Sequence, residues 1–358
     1  MTATSILTLP DAVPFPDLES RRLDRLLPRQ AETIGDRTWL MEGDTSVTFG
    51  AANQRVQAYA AGFAERGIGP GDVVAVLMDT TGEYVLVVLA LTRLNAIHVP
   101  INTAYKGEFL RRLLEQAEPK AVIIGDGYAE QFVAGLPDGM KPLVVVAGDA
   151  GAVDGRYAAI GLSELAHASR PAPAVSSRHD DVIAIGFTSG TTGRSKGVVL
   201  THHYWLTATE AMSAGRDVRA DDVFYSCTPM FHTGAWLLNV YPSLITGRPL
   251  GIDSWFSVTD FWASVRRFRA TQLFTLGAMH MWLWQQPPVP EETGNPGRIW
   301  AAVPLATELV APFRERFDLE GVFSGYGQTE TMPATIAAVG RAWKPGSCGV
   351  AQPHLQLR

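Results

Sequence analysis

Apolar residues along this chain change period repeatedly, and each change predicts an element. Between residues 17 and 34, Leu18, Leu23, Leu26 and Leu27 fall near helical spacing, which predicts a helix. Trp39-Leu40-Met41 and Val47-Thr48-Phe49 flank Gly43-Asp44 and predict a short hairpin. A helix over 50–66 follows and stops at Gly67-Ile68-Gly69-Pro70-Gly71. Val73 to Met78 is an unbroken apolar run, the mark of a strand buried on both faces. Tyr84, Val87, Val88 and Leu91 then share one helix face. A strand over Ala96 to Pro100, a helix over 106–117 and a strand over 120–125 complete the unit. Strand and helix alternate, so a parallel sheet covered on both faces is expected. No Gly-x-Gly-x-x-Gly follows Val73–Met78, which argues against a dinucleotide fold.

Composition shifts over residues 148–180, where Gly148-Asp149-Ala150-Gly151 and Ser169-Arg170-Pro171-Ala172-Pro173-Ala174 read as loop. A boundary is expected near residue 175. Beyond it Asp181 to Phe187 and Val198 to Leu200 read as strands. Thr201 is a fitting N-cap for a helix through residue 214. Leu273 to Met279 reads as a strand running into a helix. With 358 residues the chain exceeds one ordinary core, so the expectation is an α/β fold of two doubly wound subdomains, 1–175 and 176–340, with 341–358 opening a further one.

Charge narrows the choice. The net charge of −6 offers no basic face, which argues against nucleic acid as a partner. The N-terminus lacks a basic segment followed by an apolar run, and no apolar run approaches the ~20 residues of a membrane span. Cys227 and Cys348 form no metal or redox spacing with each other, and Cys227 reads as core. These features point to the cytoplasm. His202 and His203 are adjacent on a helix and point apart, which argues against one shared metal ion.

One loop is polar where its flanks are apolar: Thr188-Ser189-Gly190-Thr191-Thr192-Gly193-Arg194-Ser195-Lys196-Gly197. Glycines let backbone N–H groups turn onto an anion, hydroxyls add donors, and a lysine adds positive charge. Only Lys106, Lys120, Lys141, Lys196 and Lys344 are lysines, so one placed at the end of this loop stands out. The order is not that of a Walker A box, which needs Gly-Lys followed by Ser or Thr.

The loop resembles the signature loop of the adenylate-forming superfamily, whose members include acyl-CoA synthetases, peptide-synthetase adenylation domains and firefly luciferase. Ser195 stands where the family usually has proline. About 135 residues further on, Phe323-Ser324-Gly325-Tyr326-Gly327-Gln328-Thr329-Glu330 is similar to the family's Gly-Tyr-Gly-x-Thr-Glu motif. Pro229-Met230-Phe231-His232-Thr233-Gly234 resembles the segment that walls the carboxylate end of the acyl pocket. Ile299 to Leu305 occupies the place of a Gly-Gly-Ala-Pro-Leu segment bordering adenine, with alanines for the glycines and Val303 for the alanine. The added methyl groups are expected to narrow that slot.

The resemblance implies ATP-dependent activation of a carboxylic acid to an acyl-adenylate, with transfer to a thiol, CoA above all. Thr188, Ser189, Gly190, Thr191, Thr192, Gly193 and Lys196 would hold the phosphates. Ala302, Val303, Pro304, Ser324, Gly325, Tyr326 and Gly327 would border the base, and Thr329 the α-phosphate. Glu330 would hold Mg2+. His232, Trp236, Gly277 and Met279 would line the acyl site, and Thr188, Lys196, His232 and Glu330 would carry the chemistry. Phe274, Met279 and Met281 read more as core than as pocket, whereas Trp236, Trp255, Trp282 and Trp284 read as either. A domain loading a carrier-protein thiol, an enzyme delivering an adenylated oxyanion to an amine, and an inactive nucleotide-binding remnant stay open. So does oligomeric state, a homodimer included. Family members continue well beyond Gly346-Ser347-Cys348-Gly349, so this stretch is expected to stop before a complete β-barrel subdomain and the C-terminal domain, and to show weak adenylation alone.

Overall fold

The computed structural model describes residues 8–153, 157, 159–188, 195–353 and 355–357. In chain order its strands are β1 (Thr38–Glu42), β2 (Thr45–Thr48), β3 (Val73–Leu77), β4 (Ile97–Pro100), β5 (Ala121–Gly125), β6 (Leu143–Ala147), β7 (Ala159–Gly161) and β8 (Val182–Thr188). They continue as β9 (Lys196–Thr201), β10 (Phe224–Ser226), β11 (Leu250–Ile252), β12 (Gln272–Leu276), β13 (Ile299–Val303), β14 (Gly321–Gln328), β15 (Thr331–Ala337) and β16 (Val350–Ala351).

Two sheets result. The seven-stranded sheet has the order β7-β6-β5-β3-β4-β8-β9, parallel except at the β8–β9 edge. The nine-stranded sheet has the order β16-β15-β14-β13-β12-β10-β11-β1-β2, parallel from β14 to β1 and antiparallel at both ends. The fold class is therefore mixed α/β with two largely parallel sheets, as the alternation of apolar runs predicts.

Alternation within the strands explains the unbroken apolar runs. Val74, Val76, Ile123 and Val145 enter one core, with the helices Phe49–Glu65 and Gly82–Arg93. Ala75, Leu77, Val122 and Ile124 enter a second, with the helices Gly107–Ala117 and Ala129–Gly135. Both faces are dry, so every position favours an apolar side chain. The first core extends to Trp39, Leu40, Leu250 and Ile252, so the two sheets share one apolar body.

The sheets do not divide at residue 175. β8 and β9 follow that point yet belong to the seven-stranded sheet, whereas the early β1–β2 hairpin belongs to the nine-stranded one through β1–β11 pairing. Within 341–358, β16 pairs with β15 and extends the nine-stranded sheet. Local chemistry explains another difference. The expected helix over 17–34 begins only with a 3-10 turn at Leu23–Arg25 and runs as α-helix over Leu26–Ile34. Asp17 and Ser20 close a turn instead: Ser20 N donates to Asp17 Oδ1 (2.8 Å) and Ser20 Oγ to Asp17 O (2.6 Å). β7 and the one-turn helix Leu162–Leu165 lie between the two segments that read as loop, Gly148–Gly151 and Ser169–Ala174.

Candidate active site

Two hairpins meet at the site. In the first, β8 and β9 pair antiparallel, so Thr188 and Lys196 lie opposite one another. Ser189, Gly190, Thr191, Thr192 and Gly193, the expected core of the phosphate loop, lie outside the described residues. In the second, β14 and β15 pair antiparallel with an irregularity between Tyr326 and Gln328, leaving Thr329 and Glu330 at the tip. Gly325 is required there. A Cβ at that position would sit 2.5 Å from Thr335 O on the partner strand.

The hairpins are tied together by the helix His202–Ala214, which follows β9 directly. Thr201 caps it, its Oγ1 accepting from Tyr204 N (3.1 Å), as its sequence position predicts. Tyr204 then donates its phenol proton to Thr329 O (2.7 Å). Burial, with a smaller contribution from Glu330, pushes the Tyr204 pKa up and keeps this donor protonated. Gly186 on β8 admits the tip: a Cβ there would lie 3.1 Å from Thr329 Cγ2. Thr188 Oγ1 ends 3.5 Å from Glu330 Oε1.

The third contributor is Pro229 to Gly234. Met230 N donates to Thr80 Oγ1 (3.0 Å), and Trp236 Nε1 donates to Met230 O (2.8 Å). His232 begins a short helix, its Nδ1 accepting from Gly234 N (3.0 Å). With Nδ1 an acceptor, the proton of the neutral ring sits on Nε2. Burial lowers the His232 pKa, so that neutral form is favoured. The chain then makes a wide π-helical turn, Trp236–Val240, whose Leu238 carbonyl accepts from the buried Arg216 guanidinium.

These elements enclose two cavities. The larger, about 500 Å³, has a polar side formed by Thr188, Lys196, Tyr326, Thr329 and Glu330. Its other side is an apolar recess of Met212, Leu238, Phe274, Leu276, Phe323 and Met332. The smaller, about 280 Å³, is walled by His98, Leu200, Trp205, Trp236 and Tyr241. Thr188, His232, Thr233 and Thr329 border both, so the cavities meet at these four residues.

Not every expected residue reaches them. Val303, Gly325 and Gly327 border the larger cavity, and Tyr326 is 55% exposed beside it. Ala302 points the other way, into the core with Trp300, so its methyl leaves the slot unchanged and only Val303 faces it. Ser324 is buried and accepts from Leu305 N (3.1 Å), which makes it a tie behind the wall. Pro304 is exposed, next to Val303. Gly277 is exposed at φ +59° and Met279 packs into the core, and neither is among the residues lining the two cavities. Their places are taken by Phe274 and Leu276, two positions apart on β12. Trp236 borders only the smaller cavity. Trp255 and Trp282 are exposed, and Trp284 stacks on Phe313. Met212, Leu238, Phe323 and Tyr204 were not predicted. Apolar residues on helices and strands carry no mark separating cavity wall from core, whereas Tyr204, on the first turn after a capped start, was open to notice.

The sequence profile described as AMP-binding enzyme matches residues 27–358. The chain is 32% identical over 310 residues to the medium/long-chain-fatty-acid–CoA ligase FadD6 of Mycobacterium tuberculosis, covering 86% of this chain and 50% of that protein. It is 30% identical over 327 residues to a 3-[(3aS,4S,7aS)-7a-methyl-1,5-dioxo-octahydro-1H-inden-4-yl]propanoyl:CoA ligase of Rhodococcus jostii, covering 87% and 63%. Among solved structures, the inhibitor-bound N-terminal domain of FACL13 from Mycobacterium tuberculosis superposes with a TM-score of 0.79 at 27% identity, covering 92% of this chain and 82% of that one. The chain thus spans between half and two thirds of the curated relatives it matches.

Proposed function

The chain belongs to the AMP-binding enzyme family, and from that premise we propose that it activates a carboxylic acid with MgATP and passes the acyl group to the thiol of CoA. In the first step a carboxylate oxygen attacks the α-phosphorus of ATP. The bond from that phosphorus to the bridging oxygen of the β-phosphate breaks, giving acyl-adenylate and pyrophosphate. In the second, a thiolate sulfur attacks the acyl carbonyl carbon and AMP leaves. The observation that carries this reading is the meeting of two cavities at Thr188, His232, Thr233 and Thr329. An acyl carbon held there faces a phosphate on one side and has a separate approach for a second reactant on the other.

Each residue has a physical role. Lys196 and the Thr188 hydroxyl favour the charge gathering on the departing pyrophosphate. The Glu330 carboxylate beside the Thr188 hydroxyl is an all-oxygen donor set, the kind that shares Mg2+ with nucleotide phosphates, and would hold that ion. Such an ion would lower the charge on the phosphate oxygens. Tyr326 offers an exposed ring face for the base to stack on. His232, neutral with its proton on Nε2, can donate one hydrogen bond at the junction and excludes water there. The recess of Met212, Leu238, Phe274, Leu276, Phe323 and Met332 favours an uncharged acyl group. The relatives' names, a fatty-acid ligase and an indane-dione propanoate ligase, support an apolar acid.

Among the described residues no helix is long and apolar enough to cross a membrane, in line with an enzyme acting on dissolved ATP and CoA in the cytoplasm. The test is AMP and pyrophosphate release from MgATP across a panel of carboxylic acids, with and without CoA. A single turnover of pyrophosphate that needs only the acid, and sustained AMP release that needs both acid and CoA, are expected. Acid-dependent release indifferent to CoA but stimulated by a carrier-protein thiol or an amine would change the acceptor. No acid-dependent release from the full-length protein would sink the proposal.

A further inference from the structure

Behind the cavity wall lies a buried chain of polar groups to which the reaction assigns no role. Trp300, Thr275 and His280 are all fully buried. Trp300 Nε1 donates to Thr275 Oγ1 (2.8 Å). That oxygen keeps its own proton to give, and His280 Nδ1 lies 3.2 Å away. His280 Nε2 is 2.8 Å from Pro304 O, which can only accept. The direction of the relay is therefore fixed: Nδ1 accepts and Nε2–H donates. Burial lowers the His280 pKa, and the neutral ring is the form this direction requires.

The relay ends at a sensitive place. Val303 faces the larger cavity, and its own carbonyl accepts from Gly277 N (2.8 Å). Leu305 N donates to Ser324 Oγ (3.1 Å). Pro304, between them, has no N–H, so its carbonyl is its only backbone handle. Three consecutive residues are thus held in turn by Gly277, His280 and Ser324, and His280 holds the middle one.

We propose that His280 is a positioning residue for the nucleotide: by holding Pro304 O it sets the Val303–Pro304 edge against which the base lies. This rests on the proposed nucleotide site. A relay that merely satisfied buried polar atoms would support stability and nothing more. A positioning relay also sets nucleotide affinity, because a flat base loses contact when its bordering edge shifts by tenths of an ångström.

The test measures MgATP binding by calorimetry, KM for ATP and for the acid, kcat, and thermal unfolding, on the wild type and three variants. His280→Ala removes the donor. His280→Asn keeps a group near the Nδ1 position, preserving the Thr275 contact, but is too short for Pro304. His280→Gln places an amide N–H near the Nε2 position. Ala and Asn are expected to lower the unfolding midpoint and to weaken MgATP binding and raise KM for ATP by roughly fivefold, the part of one lost buried hydrogen bond that is felt only when the base lies on the edge. KM for the acid and kcat should stay within about twofold. Gln should restore most of the affinity. If Ala fails to fold, Asn carries the loss. Asn with wild-type MgATP affinity, equal rises in both KM values, or Gln no better than Asn would each overturn the proposal. Wild-type protein that binds no MgATP would instead remove the proposed function, and this inference with it.

Discussion

Thr188 Oγ1 lies 3.5 Å from Glu330 Oε1, although Thr188 ends a strand of the seven-stranded sheet and Glu330 sits at the tip of a hairpin of the nine-stranded one. Neither strand creates that approach alone. The absent side chain of Gly186 admits the tip of the β14–β15 hairpin, and Tyr204 fastens it from a helix that begins where β9 ends. Under the proposed function, this hydroxyl and carboxylate would exchange each other for phosphate oxygens and a shared cation.

Removing the charge at this point should be severe. Glu330→Gln keeps the volume and loses the negative charge, so pyrophosphate release is expected to fall by about 10²- to 10³-fold. The Mg2+ concentration needed for half-maximal rate should rise. Measuring rate against Mg2+ at saturating ATP checks both. An unchanged Mg2+ dependence would move the metal role to another residue.

The fastening of the tip can be tested separately from the chemistry. Tyr204→Phe deletes only the hydroxyl that donates to Thr329 O at 2.7 Å. Thr329 borders both cavities, so a looser tip should lower kcat several-fold. The lost hydrogen bond should reduce stability by about 1 kcal/mol. Steady-state kinetics and denaturant unfolding report the two effects. Full kcat with reduced stability would confine Tyr204 to a structural part.

The candidate site was legible in sequence where rare side chains stand in motifs that reach the cavities. Tyr326, Thr329, Glu330, His232 and Lys196 fall at the cavities because motif order and turn chemistry fix them. The doubly wound class followed from apolar runs too long for a one-sided sheet. What was not legible depends on crossings between sheets. Nothing local in Val182–Thr188 says that it pairs with β4, as His98 and Ala184 do, and not with the strands that follow it. Ala302 and Val303 differ by one step of the pleat, so which methyl faces the cavity needs the register. Gly277 and Met279 are expected at the acyl site from the family resemblance, yet the side chains on the cavity face are Phe274 and Leu276.

The recess should set acid selectivity. Phe274 is 1% exposed and forms part of the apolar wall. Phe274→Ala opens space there and should improve kcat/KM for bulkier acids relative to smaller ones. Stability should drop by about 3–5 kcal/mol, so Phe274→Leu is the practical companion variant, with a smaller shift in the same direction. A panel of acids graded by size reads the ratio. Selectivity that did not change with either variant would place the acyl group outside the recess.

Acid should destabilise the fold through two buried histidines. His98, in hydrogen-bonding contact with Tyr84 (3.2 Å), is held down to about 3 by burial. His202 is held down to about 4, chiefly by burial. Its Nδ1 accepts from Leu23 N (3.1 Å) and its Nε2 faces Asn95 Oδ1 (3.3 Å), so a second proton would set N–H against N–H. Asp24 and Asp181 favour that proton and Arg22 opposes it, all less strongly than burial does. Above the ordinary value of 6.5, both rings are neutral whether the chain is folded or not. As pH falls below it, the unfolded chain takes up protons that the folded chain refuses, and stability declines. Each ring contributes a slope of up to about 1.4 kcal/mol per pH unit, which fades as pH passes below the folded value. Denaturant unfolding at several pH values between about 4 and about 7 should therefore show a steepening loss toward acid. His202→Gln, which cannot charge, should remove that ring's share of the slope and leave the share of His98, His232 and His280, whose pKa values burial also lowers, and an unaltered slope in the variant would rule His202 out as a source.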